Sequence, residues 1–193
     1  MKLWETLRAD VYRYRASTSA GAFLSAWWHE PGFRFTWYLR KVTFYSARKR
    51  SPLLLAYLYN RILLNHYRFR YGFDISPQTR IGPGLYLGHF GGVVISPFAT
   101  IGSNVNINQG ATIGATSRGA NQGAPVLGDR VWVGAGSFIV GKVRVEHDSL
   151  IAPGAYVNFN VQPSSLILGN PGQCVSQRGS EGYINNVLPS SHT

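Results

Sequence analysis

Cysteine, methionine and acidic residues are scarce in this chain: one Cys (Cys174), one Met, and eight Asp or Glu against nineteen Lys or Arg in 193 residues. A lone cysteine excludes an intramolecular disulfide framework and suits a reducing compartment. The longest apolar run in the N-terminal part, Leu53 to Tyr59, is far below the roughly 20 residues that a bilayer-spanning helix requires. Met1-Lys2 leads into Trp4, Glu5, Arg8 and Asp10 rather than an uninterrupted apolar region, so a secretory signal is not expected. These absences lead to the expectation of a cytoplasmic protein, soluble or peripheral at the inner membrane face.

The shortage of acid is not spread evenly. Residues 1–71 carry thirteen Lys or Arg against Glu5, Asp10 and Glu30, a net charge of +10, whereas residues 72–193 carry a net charge of +1. The basic part reads as a short helical segment. Trp4, Leu7, Val11 and Tyr14 share one stripe, Pro31-Gly32 marks a break, and Ser51-Pro52 has the form of a helix start before the apolar stretch Leu53 to Leu64. Trp27, Trp28, Phe33, Phe35, Trp37 and Tyr38 are interleaved with Arg34, Arg40 and Lys41. Such a segment either packs its aromatics on a following domain with its cations solvated, or meets an anionic membrane face. No nucleic-acid fold signature accompanies the charge, so no nucleic acid partner is expected.

From Ile75 the periodicity changes to six. Ile75, Ile81, Leu87 and Val93, then after a two-residue slip Ile95, Ile101, Ile107 and Ile113, then Leu127, Val133, Ile139, Val145, Ile151 and Val157 recur in phase. Six matches neither the 3.6 of a helix nor the alternation of a half-exposed strand, and it signals short strands winding as a solenoid. Small residues after the aliphatic ones, as in Ile81-Gly82 and Ile113-Gly114, allow the chain to bend beside each buried side chain. A divided organisation follows: residues 1–71 as the helical segment, 72–173 as the solenoid with a loop excursion at 115–124, and 174–193 as a tail.

Near the start of the solenoid stands the string Gly72-Phe-Asp-Ile-Ser-Pro-Gln-Thr-Arg-Ile-Gly-Pro-Gly-Leu-Tyr-Leu-Gly-His89-Phe-Gly-Gly-Val-Val-Ile. With Gln109-Gly-Ala-Thr-Ile-Gly114, Pro125, Val133-Gly-Ala-Gly136 and Gly169-Asn-Pro-Gly172, it resembles the serine acetyltransferase branch of the hexapeptide-repeat acyltransferases over about residues 70 to 173. The resemblance implies a mainly β fold, a left-handed parallel β-helix behind the α-helical segment, and a homotrimer. It implies acetyl-CoA as co-substrate with no metal. It makes His89 the base that takes the proton of an acceptor hydroxyl, a task suited to an imidazole, and Asp74 the carboxylate that holds its ring. For donor binding it points to Gly114, Ala115, Gly134, Ala135, Ala152 and Pro153 beside the pantetheine arm, and it sends the 115–124 loop over a cleft between subunits.

The acceptor is where the chain departs from the resemblance. Serine acetyltransferases carry an Asp directly before the catalytic His and an Arg-His pair before the loop-closing Pro, to hold the amino acid's charges. The matching positions here are Gly88, Gly123 and Ala124. Burying a zwitterion without countercharges costs roughly several kcal/mol, so a saccharide hydroxyl in surface polysaccharide biosynthesis is expected as acceptor. Serine O-acetyl transfer is the alternative, and a non-catalytic trimeric scaffold the second alternative. A three-His zinc site of the γ-carbonic anhydrase type is not supported, because the solenoid supplies only His89 and His147.

Overall fold

A computed structural model describes residues 2–46 and 53–189. Ser51-Pro52, expected at a helix start, lie outside the described residues. Four helices come first: α1 (Leu3–Arg15), α2 (Ala20–His29), α3 (Pro31–Ser46) and α4 (Leu53–Tyr71). Glu5 in the first turn of α1 and Arg13 and Arg15 in its last turn complement the helix dipole. The Ser19 hydroxyl accepts a hydrogen bond from the Ala22 N–H at 3.2 Å and so caps α2. Proline suits the first position of a helix, and α3 begins at Pro31, where the sequence marked a break.

These helices close one end of the solenoid. Phe35, Tyr38, Leu39 and Val42 of α3, with Leu64 and Tyr71 of α4, share one continuous core with Phe73, Ile75, Ile81 and the stacked residues beyond. Close approach is required at Gly32, where an added Cβ would lie 2.1 Å from the Leu87 carbonyl oxygen. Trp4, expected on the buried stripe of α1, turns outward and stacks on Phe23 with ring centroids 4.9 Å apart.

The basic residues of this segment are not all solvated, which corrects the packing expectation. Asp10 and Arg40 form a buried ion pair, with Nε to Oδ2 at 2.9 Å and Nη2 to Oδ1 at 3.1 Å. Arg40 also donates to the carbonyls of Ile81 and Gly82, each at 2.6 Å, while Asp10 accepts from the backbone N–H groups of Gly84 and Leu85. Arg13, buried as well, reaches the Gly84 carbonyl at 3.0 Å and the Asn106 side chain at 2.6 Å; its burial lowers the guanidinium pKa from the ordinary value. The first coil's turn has polar backbone with no strand partner beyond it, and these charged side chains satisfy it.

The solenoid consists of β1 (Phe73–Ile75), β2 (Arg80–Ile81), β3 (Tyr86–Leu87), β4 (Val93–Ile95), β5 (Thr100–Ile101), β6 (Asn106–Ile107), β7 (Thr112–Gly114), β8 (Val126–Leu127), β9 (Trp132–Val133), β10 (Phe138–Val140), β11 (Arg144–Val145), β12 (Leu150–Ile151), β13 (Tyr156–Val157) and β14 (Leu166–Leu168), closed by β15 (Gln173–Ser176). They form three sheets: face A in the order β1-β4-β7-β10-β13, face B as β11-β8-β5-β2, and face C as β15-β14-β12-β9-β6-β3. All pairings are parallel except β14 with β15. All fourteen in-phase aliphatic residues are buried. So are Leu85, Ala99, Val105, Ala111, Val131, Val143 and Ala155, two positions earlier in their hexads, so each hexad contributes a second inward residue that the period alone did not reveal.

Register corrects one phase assignment. Ile75 pairs with Ile95, and Ile95 with Ile113, whereas Val93 pairs with Phe73. Val93 therefore occupies the earlier inward position, and the first coil is 20 residues long, because Asp74 stands opposite Val94. The two additional residues lie in the corner between Leu87 and Val93, the corner that carries His89. The segment expected as tail begins inside β15, then runs back along face C, where Tyr183 meets Trp132 with ring centroids 5.2 Å apart and the Asn185 carbonyl accepts from Arg13 Nε at 2.9 Å.

Candidate active site

His89 sits on the edge where face C turns into face A. On the coils below, that edge continues through Gln109-Gly110, Ala135-Gly136 and Pro153-Gly154, joined by backbone hydrogen bonds from Gly110 to Gly91 at 2.8 Å, Gly136 to Gln109 at 2.9 Å and Gly154 to Ala135 at 2.9 Å. The chain passes each corner with a positive-φ glycine, at 63° for Gly136 and 70° for Gly154, and a Cβ built on either would meet nothing within 4 Å. Below Gln109 the edge thus presents accessible backbone at Gly136 and Gly154, of a kind that fits an extended, flexible arm. Gly136, although quoted in the Val133-Gly-Ala-Gly136 stretch, and Gly154 were not among the expected donor residues; their place after Gly134-Ala135 and Ala152-Pro153 was the available signal.

The six residues expected to bind donor divide between two edges. Ala135 and Pro153 are accessible on the His89 edge, whereas Gly134 and Ala152 are buried there, their N–H groups bonded to the carbonyls of Ile151 and Ile167. Gly114 and Ala115 lie on the opposite edge of face A, where β7 gives way to the loop. One chain does not bring these two groups together.

Asp74 and His89 are also not joined. Asp74 points outward from β1, and its carboxylate takes an ion pair from Arg68 in the last turn of α4. His89 is exposed and makes no hydrogen bond or ion pair among the described residues. Helix α4 packs against β1, and its Arg68 presents a permanent cation to Asp74. Asp74 instead borders a cleft of about 290 Å³ that includes Arg61, Asn65, Arg68, Ser76 and Ser96. A larger cleft of about 550 Å³ lies between α1, α3 and face B and contains neither residue.

The 115–124 excursion folds as a short hairpin. Thr116 and Gly123 exchange backbone hydrogen bonds at 2.9 and 3.0 Å, and Asn121 ties the loop to its own chain through Lys142 N–H at 2.8 Å and the Asn158 carbonyl at 2.6 Å. Ser117 to Ala120 project into solvent. Gly88, Gly123 and Ala124 bring no charge to either edge. On another corner His147 Nδ1 lies 2.8 Å from Asp148, whose carboxyl is held below the usual carboxylate range by Arg130 first and His147 second. No group of three or more His, Cys, Asp or Glu able to hold a metal occurs among the described residues.

Likeness to known proteins follows the same architecture. No family model matches the chain. A serine acetyltransferase of Staphylococcus epidermidis strain ATCC 35984 is 37% identical over 123 residues, covering 64% of this chain and 58% of that protein. One of Staphylococcus aureus strain Mu50 is 35% identical over 159 residues, covering 78% of this chain and 74% of that protein. This chain belongs to the serine acetyltransferase family. Its fold is that of the family, a left-handed β-helix behind helices: the Neisseria gonorrhoeae serine acetyltransferase in complex with serine superposes with a TM-score of 0.71 at 28% identity, covering 90% of this chain and 69% of that one. The Brucella abortus serine acetyltransferase in complex with coenzyme A gives 0.74 at 26% identity, covering 91% and 68%. The chain spans less than two thirds of the length of the first curated serine acetyltransferases that it matches.

Proposed function

We propose that this chain is an acetyl-CoA-dependent O-acetyltransferase, with serine as the acceptor that family membership favours. The observation that carries the reading is the position of His89 on an enlarged, exposed corner at the head of an edge that turns at Gly110, Gly136 and Gly154. The imidazole removes the proton of the acceptor hydroxyl as that oxygen attacks the thioester carbonyl. A backbone N–H of the edge stabilises the oxyanion, and collapse expels the coenzyme A thiolate, which takes up the proton from the imidazolium. Asp74, now paired with Arg68, takes the part of the orienting carboxylate only on exchanging that partner for the His89 ring.

The donor residues on two edges support a site shared by two protomers of a homotrimer. In that arrangement Ala135 and Pro153, backed by Gly134 and Ala152, flank the pantetheine arm from one side, and Gly114 and Ala115 of a neighbour flank it from the other. The reading includes a cytoplasmic location, with residues 1–71 in peripheral contact with the membrane.

A specific observation keeps a second acceptor in view. Uncharged Gly88, Gly123 and Ala124 suit a neutral saccharide hydroxyl better than a zwitterion. The relatives lend no support to a polysaccharide pathway, so this acceptor ranks second. Release of coenzyme A from acetyl-CoA in the presence of L-serine separates the readings. We expect turnover that falls by roughly 10² to 10⁴ in His89→Ala while acetyl-CoA binding persists. Turnover absent with serine, but a mass increase of one acetyl on an oligosaccharide, transfers the proposal to the second acceptor. Failure to bind acetyl-CoA by calorimetry overturns both in favour of a scaffold.

A further inference from the structure

We propose that the outward face of α4 docks the protein on an anionic lipid surface. With about 100° of rotation per residue, Leu55, Leu58, Tyr59, Ile62 and Phe69 of this helix fall on one stripe, diametrically opposite Leu64 and Tyr71, which enter the core. The stripe is open to solvent: Leu55 is 74%, Ile62 69% and Phe69 76% exposed. Large apolar side chains left uncovered together from Leu55 to Ile62, with Phe69 beyond the exposed Asn65 and His66, mark an interaction surface.

The charges beside the stripe select the occupant. Arg61 falls along one flank and Arg70 along the other, Arg68 being paired with Asp74, and α4 itself contains no Asp or Glu. A second copy docking stripe to stripe would bring these cations together, whereas a surface of anionic headgroups offers the complement. An apolar face that enters the headgroup region between flanking cations is the arrangement of an interfacial helix. No helix among the described residues is long and apolar enough to cross a membrane, so contact is along the surface. The inference rests on the peripheral contact of residues 1–71 proposed above, names the face that makes it and is independent of the acceptor.

Co-sedimentation of the full chain with vesicles of phosphatidylcholine, with and without phosphatidylglycerol, tests the proposal. Expected is partition on the order of tenfold or more stronger to the anionic vesicles, weakened by added salt. The double variant Leu55→Asp with Ile62→Asp should lose that binding without a change in thermal midpoint. If it does not fold, Arg61→Gln with Arg70→Gln should weaken binding instead. Absence of binding to anionic vesicles, or equal binding by the folded variants, overturns the proposal. A variant that changes oligomeric state while the parent ignores vesicles overturns it too and assigns the stripe to a second copy.

Discussion

The helical segment and the solenoid bury their polar backbone by different means. In the solenoid each coil hydrogen-bonds to the next, and aliphatic side chains stack on their like, so stability accumulates by repetition. At its first coil the repetition has no predecessor, and the helices supply one-off partners: Asp10, Arg13 and Arg40, buried and directed at the turn from Ile81 to Leu85. One region depends on many small, exchangeable contacts and the other on a few that cannot be exchanged.

Breaking the comparison at its strongest point means removing Asp10. Asp10→Ala leaves Arg40 buried without its counterion and is expected to destabilise by about 3–5 kcal/mol, with chemical denaturation showing loss of the helical segment ahead of the solenoid. A single concerted transition would mean that the two regions are not energetically distinct. In the middle of the solenoid, Ile107→Ala removes one stacked side chain and should cost about 2–5 kcal/mol. Its near neighbours Leu87 and Val133 can close only part of the gap. A cost far below that range would show that stacked coils relax more freely than an ordinary core.

The smallest effect concerns the surface pair of Asp148 and Arg130. Asp148 has its folded-state pKa lowered, chiefly by the hydrogen bond from Arg130. Its contribution is therefore present above the unfolded carboxylate pKa and is lost as pH falls through the folded value. The pair is partly exposed, so the screened contribution is only about 0.2–1 kcal/mol. Thermal midpoints of Asp148→Asn and the parent should differ slightly near neutrality and converge in acid; a difference that grows in acid contradicts this sign.

Much of the solenoid was legible because its signal is local and repeated. A misplaced residue such as Val93 is outvoted by thirteen others, and the error was confined to one corner. That corner is also where the period slipped, and it proved to be the one carrying His89. The candidate site was legible only as a set of residue types. His89 and Asp74 were identified by their string, yet the ion pair of Asp74 with Arg68 depends on how α4 packs against β1, a relation between segments that no spacing encodes. Gly114 and Pro153 belong to one motif family but to different edges. Buried Arg13 and Arg40 were invisible for a simpler reason: a cation in a helix reads as solvated until its partner on a distant turn is known.

The sequence by itself determined the coil period, one inward residue of each hexad and the corner where the period slips, because each is a property of neighbours along the chain. Only the tertiary structure decided which carboxylate meets which cation, which edge each small residue lines and which helix face stays uncovered. Those outcomes depend on the rotation of one element against another, and that rotation is set by packing between segments far apart in the chain.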